Sequence, residues 1–235
     1  AGTISYKCAS FLGHEENGIK AGLKVYCGAP DFICALAGTG TLKPGVLCDR
    51  AGSSEGINFC SSEPVYGDGI RTLPSVVPGL WNASVLLPDS GSSFAAFKQK
   101  IERETGRTYE YDELMDTLIS SDGTNPTLDQ GKYHLIQTAL DVKTAIQTLA
   151  KAVKEKGHPF PDRMTITGAQ ASNRKRNQMK ADITGIRICV TECPDAELMG
   201  DAVFAFTGMG IFDSIPQASQ ALVRISDTFV PSVEE

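Results

Sequence analysis

The sequence predicts an α/β fold, and two observations in its second half support that prediction. Apolar residues recur at alternating spacings of four and three over residues 135–153, which places them on one face of a long helix. Two strand-like segments, Arg163–Thr167 and Arg187–Thr191, then alternate with helix-like segments over 173–184 and from Pro194 to about Thr207. Strand–helix–strand–helix alternation at these spacings is typical of α/β domains.

The composition limits the classes of protein to which this chain can belong. Its 235 residues are 41% hydrophobic, which supplies enough apolar side chains for one large domain or two small ones. Acidic residues outnumber basic ones by 28 to 22, for a net charge of −6. This excess argues against nucleic acid and anionic membranes as partners, because both select clustered Lys and Arg. No apolar run approaches the roughly 18–20 residues that a membrane span requires.

The seven cysteines indicate a reducing compartment. Their number is odd, and most have Ile, Val, Leu or Phe as neighbours, where a free thiol behaves as a small hydrophobic group. There is no C-x-x-C motif and there are only 3 histidines, so we expect no metal site built from protein ligands. The closest pair, Cys189 and Cys193, is interpreted as ordinary packing. We therefore predict a cytoplasmic protein.

The N-terminal part of the chain, up to Cys60, predicts several short elements. Residues 4–12 favour a helix that ends at Gly13, and Val25–Cys27 favours a short strand. Residues 32–37 are apolar and small and receive no assignment, and 38–45 are predicted to form a loop. Two strands follow, Val46–Asp49 and Ile57–Cys60, around a hairpin over Arg50–Gly56 that is rich in Gly and Ser.

The middle of the chain is less regular. Four prolines interrupt residues 61–93, which predicts strands and loops there. Helices are predicted around Phe94–Ile101 and Leu114–Leu118, with a polar loop over Ser120–Gln130. Near the end, Ser214-x-x-Gln217 is a capping-box pattern for a last helix that reaches about Ile225.

The first candidate functional residue is Asp31, in the turn Gly28-Ala29-Pro30-Asp31 just after a predicted strand. A carboxylate at a strand end with small neighbours is well placed to accept a proton from a substrate hydroxyl. Taken alone, an Asp after Pro is more often a turn residue or a helix cap.

The second candidate is the turn formed by Gly52, Ser53 and Ser54 at the tip of the predicted hairpin. Gly allows backbone amides to approach an anion closely, and the two hydroxyls add donors, so such a turn can hold a phosphate. No Gly-Lys-Ser/Thr sequence follows, so this is not a P-loop. A plain hairpin turn is the more common meaning of this pattern in isolation.

The third candidate is the loop from Gly168 to Asn173, between a predicted strand and a predicted helix. In an open α/β sheet, ligands bind beyond the carboxyl ends of the strands, where helix N-termini favour anions or polar groups. Gly168, Ala169, Ser172 and Asn173 are therefore candidate binding residues. The alternative is a simple βα loop in which Ser172 or Asn173 caps the helix.

The order of these features resembles the C-terminal half of the FGGY carbohydrate kinases. The resemblance is most specific in the back half, which reads MTITGAQASN (164–173), NQMKADITG (177–185), RICV (187–190), ELMGDAVFA (197–205) and GMGIF (208–212). Upstream, it extends over GLKVYCGAPD (22–31), the phosphate-loop region 40–56 and HLIQTALD (134–141). Coverage is nearly end to end and weakest over 60–130.

The resemblance implies a ribonuclease H-like (actin-like ATPase) domain with a mixed β-sheet flanked by helices. It also implies transfer of the γ-phosphoryl group of ATP to a sugar or polyol hydroxyl, with Mg²⁺ bridging the phosphate oxygens. Asp31 would be the general base, Gly52, Ser53 and Ser54 would hold phosphates, and Gly168, Ala169, Ser172 and Asn173 would line the nucleotide pocket. Pentuloses, related ketoses and glycerol-like polyols are the substrate classes of such kinases.

The resemblance further implies a missing partner domain. Family members begin with a domain that contains an Asp-x-Gly-Thr phosphate loop, and no such motif precedes Asp31. We therefore expect residues 1–36 to be the tail of an N-terminal sugar-binding domain and 37–235 to be the nucleotide-side domain of a longer chain, incomplete and inactive alone. A homodimer is left open.

The sequence departs from the family pattern at four places, and two alternative functions follow. Ala169 stands where the family usually has a second Gly, Thr138 replaces a small residue, and Asp201 occupies a position that is usually Ala. The Gly-Leu expected ahead of His134 is missing. The main alternative is an actin-like nucleotide-binding module without catalysis. The other is an interaction domain that kept the fold and lost the ligand, which only Ala169 and Asp201 suggest.

Overall fold

A computed structural model describes residues 2–12 and 18–232. Gly13, the predicted end of the first helix, lies outside the described residues. The strands are β1 (Gly2–Thr3), β2 (Lys24–Val25), β3 (Leu47–Ala51), β4 (Glu55–Ser61), β5 (Arg71–Pro74), β6 (Trp81–Leu87), β7 (Arg163–Thr167), β8 (Arg187–Thr191) and β9 (Ile225–Phe229). The helices are α1 (Tyr6–Leu12), α2 (Asp31–Gly38), α3 (Ser90–Thr105), α4 (Tyr111–Ile119), α5 (Pro126–Glu155), α6 (Arg174–Thr184), α7 (Ala196–Gly208) and α8 (Ile215–Leu222).

A mixed seven-stranded sheet organises the chain, in the order β5-β6-β4-β3-β7-β8-β9. Strand β3 is antiparallel to β4 but parallel to β7, and β7 is parallel to β8. The edge strands β5 and β9 are both antiparallel to their neighbours. A mixed sheet flanked by helices confirms the predicted α/β class. The bounds of β7 and β8 agree with the sequence prediction.

The long helix α5 covers one face of the sheet. Its buried residues include Val142, Ile146 and Leu149, which pack in the main core with Ile57 and Ile166 of the sheet. This is the apolar face that the spacing predicts. Burial of apolar side chains, at about 25 cal/mol per Å², is the main favourable contribution to folding here.

The start of α5 corrects the sequence prediction. The loop predicted over Ser120–Gln130 is helical from Pro126 onward. Asn125 is the N-cap, and its side-chain oxygen accepts hydrogen bonds from the amides of Thr127 and Leu128. Asn-Pro is therefore a helix start here rather than part of a loop, since Pro at the first helical position needs no hydrogen-bonded amide.

The unassigned residues 32–37 belong to helix α2, which packs closely against α7. A Cβ at Gly200 would lie 2.0 Å from the carbonyl oxygen of Cys34, and one at Gly38 would lie 1.9 Å from that of Ala196. Two glycines thus allow the backbones of the two helices to touch. Asp201 is exposed beside this contact, and its Oδ1 accepts a hydrogen bond from Cys34 Sγ at 3.2 Å.

The C-terminal region also differs from prediction. Helix α8 ends at Leu222 rather than near Ile225, and Ile225–Phe229 form strand β9 beside β8. The N-cap of α8 is Ser214, whose hydroxyl accepts from the amide of Gln217 as the capping-box pattern predicts. The Gln217 side chain accepts in return from the amide of Asp213 rather than from that of Ser214.

Three further properties of the described residues concern membrane-spanning helices, metal ligands and cysteines. Within residues 2–12 and 18–232, every helix is too short or too polar to cross a lipid bilayer. The same ranges contain no group of three or more His, Cys, Asp and Glu side chains placed to hold a metal ion. All seven cysteines lie in the described part of the chain and have free thiols.

Candidate functional site

The candidate site lies at the edge of the sheet where β3 and β7 end. These strands are adjacent and parallel, with Arg50 opposite Thr167, so the segments that follow them meet at the same edge. Gly168 follows β7 with a φ of 95°. A Cβ there would lie 2.5 Å from the carbonyl oxygen of Ala51, so this contact between the two segments requires glycine.

A cleft of about 700 Å³ opens at this edge. The hairpin contributes Gly52 and Ser53 to its lining, and the loop after β7 contributes Ala169 and Ser172. The structure thus brings two of the three predicted turns into one cleft. The rest of the lining comes from α3, α4 and the loop, and includes Gly91, Ser92, Phe94, Gln99, Tyr111, Asp112, Met115 and Gln170.

The hairpin tip is held against the start of α3. The carbonyl oxygen of Ser53 accepts hydrogen bonds from the amides of Gly91 and Ser92, at 3.0 and 2.9 Å. A Cβ at Gly91 would lie 2.1 Å from the Gly52 carbonyl oxygen, so the two backbones are in direct contact. Within the tip, the Gly52 amide donates to the carbonyl of Ser54. Ser53 is exposed toward the cleft, whereas Ser54 lies outside its lining.

The loop after β7 has one exposed side and one buried side. Ala169 and Ser172 are exposed at the cleft. Asn173 is buried and outside the lining, and its Oδ1 caps α6 by accepting from the amide of Arg176 at 2.8 Å. The Asn173 amide group also donates to Asp116 Oδ1 at 3.0 Å, which fixes α4 to α6. The structure therefore places Asn173 in the capping position that the sequence left open.

Asp31 is the first residue of α2 and lies at the same edge of the sheet, outside the lining of the cleft. Its Oδ2 is 3.3 Å from Nη1 of Arg50, which precedes Ala51 and Gly52 on β3. The Asp31 side chain is 72% exposed and that of Arg50 is 22% exposed. The Asp31 carboxylate is therefore accessible to a ligand from the solvent and is joined to β3 by the ion pair.

A buried ionic cluster behind the hairpin is absent from the sequence prediction. Lys180 of α6 donates to Asp49 Oδ2 at 2.6 Å and to Glu55 Oε1, and all three side chains are fully buried. The other oxygen of Glu55 accepts from the hydroxyl of Ser90 at 2.5 Å. We call these four residues the Lys180 cluster.

The two carboxyl groups of the Lys180 cluster titrate in opposite directions. Burial and the charge of Glu55 raise the pKa of Asp49 to about 8, against the attraction of Lys180. Burial also acts to raise the pKa of Glu55, but Lys180 and the hydrogen bonds to Asp49, Lys180 and Ser90 outweigh it and lower that pKa to about 2. The two carboxyl groups of the cluster therefore titrate over separate pH ranges.

A second buried cation lies one turn before Lys180 on α6. The Arg176 side chain is buried, and its Nε donates to Gln170 Oε1 at 3.0 Å in the loop after β7. Its Nη1 donates to the carbonyl oxygen of Leu135 on α5 at 3.1 Å. Burial lowers the pKa of this guanidinium, and the charges of Glu55 and Asp49 oppose that shift. Helix α6 thus fixes the loop through Arg176 and the hairpin through Lys180.

The sequence contains one weak signal of this arrangement. Leu47, Asp49 and Ala51 alternate on one face of β3, and all three are fully or almost fully buried. A charged residue between two core residues of a strand needs a buried partner. The identity of that partner, 131 residues away in the chain, cannot be read from local pattern.

Comparison with known proteins shows what the chain is similar to. A family model described as "FGGY family of carbohydrate kinases, C-terminal domain" matches residues 107–209. Residues 107–209 therefore resemble the C-terminal domain of the FGGY carbohydrate kinases. The resemblance found in the sequence is thereby confirmed, over a match that includes the loop after β7 and all of α6.

Relatives named as kinases align with the whole length of the chain. An autoinducer-2 kinase of Escherichia coli (strain K12) is 23% identical over 271 residues, an alignment that covers 100% of this chain and 50% of that protein. The chain spans about half the length of the curated relatives that it matches. The chain is therefore similar to the C-terminal half of carbohydrate kinases.

Solved structures confirm the predicted fold. Ligand-bound xylulose kinase from Lactobacillus acidophilus superposes with a TM-score of 0.74 at 12% identity, covering 93% of this chain and 49% of that one. Plasmodium falciparum glycerol kinase with ADP gives a TM-score of 0.73 at 13% identity, covering 91% and 48%. The mixed sheet with flanking helices is thus the actin-like ATPase fold of FGGY kinases.

Proposed function

We propose that this chain is the C-terminal, nucleotide-binding portion of an enzyme that transfers the γ-phosphoryl group of ATP to a hydroxyl of a sugar or polyol. The observation that supports it most directly is the single cleft that joins the hairpin to the loop after β7. A site that combines glycine-rich turns with an apolar pocket suits a ligand with both phosphates and a flat base.

In the proposed complex, the base lies among the apolar side chains of α3 and α4. Phe94, Tyr111 and Met115 line that part of the cleft, and an aromatic ring stacks readily on a purine. Ala169 and Ser172 line the adjoining wall and would contact the adenosine portion. Gly168 and Asn173 would not contact the ligand. They would shape the loop that holds Ala169 and Ser172 at the cleft.

The phosphates extend from this pocket to the hairpin. Gly52 and Ser53 lie in the cleft, with Ser54 adjacent. The two serine hydroxyls suit phosphate oxygens, and Gly52, whose amide donates to the Ser54 carbonyl, allows a close approach to the backbone. Mg²⁺, when bound with the nucleotide, neutralises phosphate charge and requires few protein ligands, since it retains several waters.

Asp31 is the proposed general base. It is exposed at the same edge and would take the proton of the attacking hydroxyl. The new P–O bond would form as the bond from the γ-phosphorus to the bridging oxygen breaks and ADP leaves. The ion pair of Asp31 with Arg50 connects the carboxylate to the strand that leads into the hairpin. A base and a phosphate loop fixed to one strand would keep a constant separation during turnover.

A second domain of the same protein is the proposed partner. The N-terminal segment up to Val25 exposes large apolar side chains, among them Tyr6 at 83% and Phe11 at 87%. Such side chains suit contact with the remainder of a domain of which residues 1–36 would be the tail, with 37–235 as the nucleotide-side domain. A small sugar or polyol would bind between the two, and we place the reaction in the cytoplasm on the cysteine pattern.

Calorimetry tests the binding part of the proposal on this chain. The ligands are ATP–Mg²⁺, ADP–Mg²⁺ and adenosine, so that the contribution of the phosphates is separated from that of the base and ribose. We expect all three to bind, and the two phosphorylated ligands to bind more tightly than adenosine. Absence of heat and of any thermal shift with all three would contradict a nucleotide site.

Phosphoryl transfer requires the rest of the enzyme. Full-length protein, or this chain combined with a separately produced N-terminal half, is assayed with ATP over a panel of ketoses and polyols. We expect transfer to at least one pentulose or polyol and none from this chain alone. Nucleotide binding without transfer to any acceptor would favour the alternative, a non-catalytic actin-like nucleotide-binding module.

A further inference from the structure

Helix α6 presents two buried cations to the interior, Arg176 and Lys180. They are four residues apart, so they lie on the same helix face, and both are essentially inaccessible to solvent. A buried lysine loses its hydration and is retained only where nearby acceptors replace the lost water. The acceptors of Lys180 are the carboxyl groups of Asp49 and Glu55.

These two carboxyl groups flank the hairpin that forms the proposed phosphate site. Asp49 lies on β3 before the tip, and Glu55 is the first residue of β4 after it. One ammonium group therefore contacts both strands of the hairpin. Glu55 also accepts from Ser90, the first residue of α3, and the start of α3 in turn donates two backbone amides to the Ser53 carbonyl.

Stability alone is a weak reason for this arrangement. Buried ion pairs are commonly no better for stability than apolar residues of similar volume, because the desolvation penalty offsets the attraction between the charges. What such a pair provides is a defined geometry, since each hydrogen bond fixes the relative positions of the two groups that it joins.

We propose that Lys180 is a positioning residue for phosphate binding: through Asp49, Glu55 and Ser90 it fixes the 51–56 hairpin against the start of α3 in the geometry that receives the phosphates. This inference rests on the proposed nucleotide site. Lys180 would act in this way without lining the cleft. Arg176 has a different role, since it fixes the loop after β7 through Gln170.

The proposal makes a prediction that a general structural role does not make. If Lys180 orients the hairpin, its loss weakens ligands that have phosphates and spares adenosine, which contacts only the base and ribose walls. If Lys180 only supports the fold, its loss weakens ADP–Mg²⁺ and adenosine by the same factor. The ratio of the two dissociation constants therefore distinguishes the two roles.

The test compares Lys180→Met, Ser90→Ala and Ser93→Ala with the unmodified chain by calorimetry with ADP–Mg²⁺ and adenosine. Lys180→Met keeps most of the side-chain length and removes the charge. We expect its Kd for ADP–Mg²⁺ to rise about tenfold or more, as for a broken buried charge pair, and its Kd for adenosine to stay within about twofold. Equal loss for both ligands, or no loss for either, would overturn the proposal.

Ser90→Ala tests the same proposal if Lys180→Met does not fold. It removes the link from Glu55 to α3 and leaves the ion pairs in place, and we expect the same ADP-selective loss, smaller in size. Ser93→Ala is the matched control. Its hydroxyl donates to the Ser90 carbonyl and contacts His134 but makes no bond to the hairpin, so we expect both affinities to be unchanged. An ADP-selective loss in Ser93→Ala equal to that in Ser90→Ala would also overturn the proposal.

Amide hydrogen exchange separates this inference from the proposed function. We expect Ser90→Ala and Lys180→Met to accelerate exchange over residues 51–56, with strand β8 still protected. If the unmodified chain binds neither ligand, the proposed function fails, and faster exchange confined to the hairpin would still support the positioning role of Lys180. Unchanged exchange over 51–56 in both variants would refute it.

Discussion

Nη1 of Arg50 lies 3.3 Å from Oδ2 of Asp31, so an ion pair joins the first residue of α2 to the strand that leads into the Gly52–Ser54 turn. The pair is the direct structural connection between the proposed base and the proposed phosphate site. An exposed ion pair of this kind contributes little to stability, about 0–1 kcal/mol. Its consequence is positional, because it fixes where the carboxylate lies relative to β3.

Asp31→Asn is expected to abolish phosphoryl transfer and to leave nucleotide binding intact. The amide is close in size to the carboxylate but cannot accept the substrate proton. The measurement is a transfer assay on the complete enzyme together with calorimetry for ATP–Mg²⁺. Asp68→Asn, at another exposed aspartate, is the control and should retain activity. Phosphoryl transfer by Asp31→Asn at the rate of the unmodified enzyme would contradict the assignment of Asp31 as the general base.

Tyr111→Ala is expected to weaken adenosine binding about tenfold, since an aromatic side chain contributes roughly 1–3 kcal/mol when it stacks on a base. The Tyr111 ring lies in the cleft and is exposed, so it is accessible to a ligand. Tyr133→Ala removes a ring that is exposed on α5 and outside the cleft, and should leave the affinity unchanged. Equal effects of the two substitutions would indicate that the base binds elsewhere.

Gly168→Ala is expected to destabilise the chain more than Gly157→Ala does. Both glycines have positive φ values, 95° and 79°, so alanine is strained at each by about 1–2 kcal/mol. Only at Gly168 would the added Cβ meet another backbone, the Ala51 carbonyl, and such overpacking costs about 1–3 kcal/mol more. Urea unfolding of both variants measures the difference. Equal midpoints would show that the contact between the two loops is relaxed easily.

The Lys180 cluster is expected to make stability depend on pH. The pKa of Asp49 is raised from 3.8 to about 8, so between these values the folded chain binds more protons than the unfolded chain. The free energy of unfolding attributable to Asp49 therefore falls as the pH rises from about 4 to about 8. The pKa of Glu55, lowered from 4.5 to about 2, acts in the opposite sense and only below pH 4.5, where its contribution is lost on acidification.

Asp49→Asn tests this dependence, because the amide does not titrate. Urea unfolding at pH 5 and at pH 8 should show a smaller loss of stability in Asp49→Asn than in the unmodified chain. Asp68→Asn, at an exposed position, should leave the difference between the two pH values unchanged. A loss in Asp49→Asn as large as that in the unmodified chain would show that other groups cause it.

Much of the fold can be predicted from local pattern. Helix α5 is recognisable because its buried side is apolar at regular spacing, and β7 and β8 because they are short and bounded by turn residues. Helix α2 escapes prediction because residues 32–37 are apolar on every side, which leaves no periodicity to distinguish helix from strand. Strand β9 is not recognisable either, because its polar residues mask the alternation of an edge strand.

The site is predictable only in part. The hairpin and the loop after β7 are recognisable as separate turns, but their meeting depends on the pairing of β3 with β7, two strands far apart in the chain, which no local signal encodes. The buried face of α6 cannot be predicted by pattern. Arg176, Lys180 and Thr184 are among its buried residues, and a search for apolar spacing interprets such residues as solvent-exposed.

The contact between α2 and α7 has a genetic consequence. Asp31 begins the helix whose Cys34 backbone touches Gly200, so a side chain at position 200 would displace the helix that presents the carboxylate. Random mutagenesis followed by selection for lost sugar phosphorylation should thus return substitutions at Gly200, and at Gly38 in the same crossing. Because the atoms met are backbone atoms, smaller side chains on the facing helix are not expected to suppress such alleles.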